Sequence, residues 1–95
     1  ARPEHVTSLG MHVQKNEELE SKDFKGLPDL SSIKAAQRTA QRLEMLYDKY
    51  KKENRKESIA HARLVTEIAR NESYMKGSIV MISLFDRLLK YMGNK

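Results

Sequence analysis

Cysteine and tryptophan are absent from this 95-residue chain, and aromatics (6%), glycine (four) and proline (two) are sparse. Without Cys there is no disulfide framework, no thiolate metal site and no Cys nucleophile. The longest uninterrupted apolar run, Ile79-Val80-Met81-Ile82, falls far short of the roughly 20 residues of a membrane span. No basic-then-apolar signal opens the chain, and Ala1 stands where a Met would, which reads as a piece excised from something longer. Gly10, Gly26, Gly77 and Gly93 are isolated, so the sequence has no Gly-rich phosphate loop. His5, His12 and His61 are too scattered to gather the three or four ligands that a metal needs. No catalytic, cofactor-binding or metal-binding constellation is found, and a non-enzymatic role without cofactors is expected.

What is present is charge (33% of residues) and helix-forming side chains, with a modest 39% of apolar residues. That balance describes a long helix whose core lies between chains. Composition divides the chain in two. Residues 1–30 carry four basic and six acidic residues, a net of −2, and both prolines. Residues 31–95 carry fourteen basic and seven acidic residues, a net of +7. The first region has no sustained apolar period and is expected to be an irregular, acidic segment. Within it Phe24, Leu27 and Leu30 form a denser patch around Gly26 and Pro28. The patch reads either as a segment docking back on the helix or as a simple lead-in.

From Ser31 onward one heptad frame runs without a slip. The N-cap falls to Ser31 or Ser32, and Gly93 suits the residue just past a helix end. The pattern predicts an all-α chain: a long coiled-coil helix over about residues 31–92, in an oligomerisation region spanning 31–93, assembling with other helices. As a straight rod it would reach roughly 90 Å. Its expected interface residues are Leu43, Tyr47, Tyr50, Leu64, Ile68, Met75, Ile82, Phe85, Leu89 and Met92. Asn54, His61 and Asn71 are polar residues in the seam, where such side chains select register and partner. The polar stretch Lys51–Glu57 raises the question of a hairpin. It lacks Gly and Pro and the frame survives it, so a continuous helix is favoured and the hairpin is the alternative. Beyond residue 79 the apolar arc widens past what one partner covers, which calls for a bundle of three or more helices there, or for cover by a folded-back segment such as the Phe24 patch. Parallel pairing of two copies would set Glu67 against Glu72, so it has no support from the flanking charges.

Between residues 31 and 63 the face opposite the seam is basic: Lys34, Arg38, Arg42 and Lys49, then Arg55, Lys56 and Arg63. Lys51, Lys52, Arg55, Lys56 and Arg63 are the candidate contacts to an anion or nucleic acid. A basic-leucine-zipper fork is not reproduced, so sequence-specific groove reading is not expected. The leading expectation is a helical oligomerisation and protein–protein interaction module of a larger intracellular assembly, nuclear or cytoplasmic. Its partner would be itself or another helical chain. The alternative is a basic, nucleic-acid-binding protein dimerising through the same helix. An interfacial membrane helix over residues 79–92 is a weaker third reading, and no membrane span is expected.

Overall fold

A computed structural model describes residues 22–93. Residues 1–21 lie outside the described residues, and with them most of the expected irregular segment. The described part is all-helical: α1 (Ile33–Lys52), α2 (Lys56–Lys76) and α3 (Ile79–Tyr91). The three pack against one another as a bundle within one chain. Its long dimension is 54 Å, not the roughly 90 Å of the expected rod.

The single long helix is thus corrected to three, and local chemistry explains both breaks. After α1, Asn54 takes a left-handed conformation with φ 57°. Around it the Asn54 N–H donates to the Lys51 carbonyl (3.1 Å) and the Arg55 N–H to the Tyr50 carbonyl (2.9 Å). This pair of bonds is the Schellman closure of a helix, with Asn in the place usually held by Gly. Asn tolerates that conformation because its short polar side chain bonds locally. The hairpin alternative is therefore the arrangement found, and Asn54 is a turn residue rather than a seam residue. Gly77 (φ 69°) ends α2 in the same way, its N–H donating to Tyr74 and the Ser78 N–H to Ser73. Side-chain caps start the flanking helices: Ser32 accepts from the Ala35 N–H (3.0 Å) and Ser78 from the Met81 N–H (3.2 Å).

Within α1 and α3 the heptad stripe does face the core. Leu43, Tyr47 and Tyr50 of α1 are buried, as are Phe85 and Leu89 of α3 and Met92 just past its end; Ile82 is half-buried. In α2 the stripe points the other way. The face turned inward is Ser58, Ala62, Val65, Thr66, Ala69 and Ser73. Leu64, Ile68 and Met75, expected at an interface, are 54%, 40% and 87% exposed. Small inward residues let α2 approach closely, and its inward hydroxyls are satisfied along the helix. Thr66 donates to the Ala62 carbonyl and Ser73 to the Ala69 carbonyl, each at 2.7 Å.

The stretch before α1 packs on this bundle through Phe24 and Leu30, both buried. Phe24 stacks on His61 of α2 (ring centroids 4.4 Å apart), which engages that histidine inside the chain rather than between copies. Asp23 accepts from the Tyr50 hydroxyl at 2.6 Å. The buried Thr39 hydroxyl both accepts from the Asp29 N–H and donates to the Asp29 carbonyl, each at 3.0 Å.

Two expectations test this packing. Phe85→Ala, at a fully buried position, should cost about 3–5 kcal/mol in urea unfolding, whereas Met75→Ala should change stability by less than about 0.5 kcal/mol. Asn54→Ala should cost about 1 kcal/mol through the left-handed backbone, with Asn54→Gly tolerated.

Candidate interaction surfaces

The outward face of α2 is the first candidate. Leu64, Ile68 and Met75 recur at heptad spacing along it, with Asn71 exposed in the same row. At the elbow between α2 and α3 the row continues into Tyr74, Ile79 and Val80, all exposed. Exposed apolar side chains scattered singly need no explanation, but a contiguous row at helix-pairing spacing marks a contact surface. Tyr74 lies within α2, before the Gly77 break, and Ile79 and Val80 open α3 just after it.

The second candidate is the distribution of cations. Three of the five residues expected to meet an anion are engaged within the chain. Arg63 Nε donates to the Met92 carbonyl at 3.0 Å, which the Tyr47 hydroxyl also bonds at 3.3 Å. Its guanidinium lies 5.9 Å from the Tyr47 ring centre. Arg55 bonds Glu53 at 3.2 Å and sits 4.8 Å above the Tyr50 ring. Lys51 lies 5.4 Å over the Tyr47 ring. Lys52 and Lys56 are exposed. Lys51 and Arg55 meet partners two to five residues away in the chain, whereas the Met92 carbonyl and the Tyr47 ring reach Arg63 only by tertiary packing.

A different set of cations stands open. On α1, Lys34, Arg38, Arg42, Lys49 and Lys52 are exposed, and Lys22 and Lys25 of the preceding stretch lie alongside. Between that stretch and α1 runs a groove of about 340 Å³ lined by Lys22, Lys25, Arg38 and Arg42, with Asp23 and Asp29 in its wall. Asp29 is held below its usual pKa by hydrogen bonds from the Ser31 hydroxyl and then the Ser31 N–H.

The third candidate is a cleft of about 580 Å³ between α1 and α3, bounded by Gln37, Gln41, Glu44, Leu84, Arg87 and Tyr91 among others. Across its end Tyr91 donates to Asp48 at 2.7 Å, and this bond raises the pKa of the phenol above its ordinary value. Arg70, partly exposed, lies 3.7 Å from Asp86, and its buried Nε has no hydrogen-bond partner among the described residues. No group of three or more His, Asp or Glu able to hold a metal occurs among the described residues. Nor is any described helix long and apolar enough to cross a membrane.

The clasp at Met92 makes one expectation concrete. Arg63→Gln should lower stability by about 1.5–3 kcal/mol, the range for a charge-assisted hydrogen bond, as measured by urea unfolding. No family model matches this sequence, and neither a curated protein nor a solved structure matches the chain, so its surfaces are read from their own geometry.

Proposed function

We propose that this chain is a non-enzymatic helical interaction module whose docking surface is the outward face of α2. The observation that carries the reading is the inversion of that helix. Its small residues face the bundle, and its larger apolar residues Leu64, Ile68 and Met75 face outward at heptad spacing. A helix with such a stripe buries it against another helix.

The partner that fits most simply is a second copy running antiparallel. Leu64 then meets Met75 of the second copy, and Ile68 meets Asn71. In that register Glu67 lies beside Tyr74 of the second copy. In the parallel arrangement it would face Glu72, a like-charge contact made twice. A polar Asn71 opposite Ile68 lowers the affinity and favours this one register over its neighbours. The larger side chains of the chain's own core, Tyr47, Tyr50 and Phe85 among them, take no part, since they are buried already.

Light scattering across a concentration series tests the reading. The chain should approach twice its mass of 11.0 kDa. Ile68→Lys should return it to the monomer mass, weakening association by about 2 kcal/mol while shifting unfolding by less than about 1 kcal/mol. A wild-type chain that stays at 11.0 kDa at the highest concentration reached would overturn self-association.

A further inference from the structure

The open cations of α1 sort onto one side of the helix. At 100° per residue, Lys34, Arg38, Arg42, Lys49 and Lys52 fall within an arc of roughly 80°. That arc contains no acidic residue; Met45 is its apolar member. The acids of α1, Glu44 and Asp48, lie on the flank facing α3, where Asp48 is bonded to Tyr91. The row runs about 27 Å along the axis, with steps of about 6 Å from Lys34 to Arg38 to Arg42. Lys22 and Lys25 form the opposite lip of the groove beside Arg38 and Arg42.

These charges have little to neutralise them inside the chain. Lys49 reaches Asp23 at 3.9 Å, but Lys22, Lys25, Lys34, Arg38, Arg42 and Lys52 make no ion pair among the described residues. The groove's two acids, Asp23 bonded by Tyr50 and Asp29 bonded by Ser31 and within the field of Arg38, are outnumbered by its four cations Lys22, Lys25, Arg38 and Arg42. Like charges four residues apart on a helix oppose its formation. A row of them is stabilised when an external anion of matching length lies along it.

We propose that this face binds the phosphate backbone of duplex nucleic acid without reading its sequence. Three features favour that polyanion over others. The positive charge extends over a length of several base pairs, in steps of about 5 to 10 Å, as contact with successive phosphates of a polymer requires. The charged members of the face are Lys and Arg, which position a backbone rather than specify bases, and it exposes no aromatic on which unpaired bases would stack. A lipid surface would instead be met by cations interleaved with apolar residues, yet the exposed apolar row lies on α2 and the elbow. The site is separate from the α2 face, so either surface can fail without the other.

Fluorescence anisotropy of a labelled random-sequence duplex, titrated with the whole chain at about 50 to 200 mM salt, tests the proposal. The logarithm of the binding constant should fall against the logarithm of salt with a slope of about −4.5, for about five phosphate contacts. Arg38→Gln with Arg42→Gln should make the slope about 2 units shallower and weaken binding on the order of 50-fold at 0.1 M salt. Lys34→Gln with Lys49→Gln should act in the same way. Lys76→Gln with Lys90→Gln, away from the row, should leave both quantities unchanged. Helical circular dichroism confirms that each variant remains folded. A second duplex of unrelated sequence should bind equally well. The proposal falls if the duplex does not bind at about 50 mM salt, or if removing Arg38 and Arg42 leaves the slope as it was. It falls equally if phosphatidylserine vesicles are bound through these residues and the duplex is not.

Discussion

The close approach of α2 to its two neighbours is the constraint on which the bundle rests. The bulk of the core comes from α1 and the C-terminal part of α3: Leu43, Tyr47, Tyr50, Phe85 and Met92. Ala62 and Ala69 of α2 leave room for those side chains, and Ser58, Thr66 and Ser73 fill the remainder without bulk. A close-packed interior admits no second set of large residues in the same space. Had α2 turned Leu64, Ile68 and Met75 inward, it would have stood further off and left the rings of Tyr47 and Tyr50 poorly covered. The hydroxyls of Thr66 and Ser73 accept burial because each returns its proton to a carbonyl of its own helix.

Polar contacts then hold the helices in their places. The Met92 carbonyl lies past the end of α3, where intrahelical donors run out, and it is bonded by Tyr47 of α1 and Arg63 of α2. One acceptor thereby joins all three helices. The stretch before α1 is fixed by Phe24 on His61, by Asp23 on Tyr50, and by Asp29 on Thr39. The same tyrosines that fill the core also carry cations on their ring faces. In this way Lys51, Arg55 and Arg63 become part of the structure, while the cations of α1 that face solvent do not.

Two surfaces result, and they differ in kind. One is the apolar row of α2, which suits a helical partner. The other is the cationic side of α1, which suits an extended anion. They arise from one fact of composition, an excess of amphipathic sequence over the core that three short helices can enclose. A single continuous helix would have merged them into a seam with a charged back. The folded bundle separates them, because turning the chain at Asn54 and Gly77 directs each helix face independently.

The sequence by itself determined the helical class, a serine cap at Ser31 or Ser32, and which residues of α1 and α3 share an apolar stripe, because these depend on local preference and on period alone. It also indicated that residues beyond 79 need more than one neighbour, in a bundle or beneath a folded-back segment, since their apolar arc is too wide for one. What it left open was direction. Heptad spacing records that Leu64, Ile68 and Met75 share a face, but not whether that face meets the chain's own core or something outside it. Asn54 sits in a run of good helix formers, and only the pairing of α1 with α2 rewards its left-handed turn over another helical residue. The destination of Arg63 was likewise settled in three dimensions, by a ring and a carbonyl distant in the chain. Period and propensity are properties of neighbours in sequence. The choice of inward face and the pairing of charges belong to the tertiary structure, where packing density decides which residues the core has room to accept.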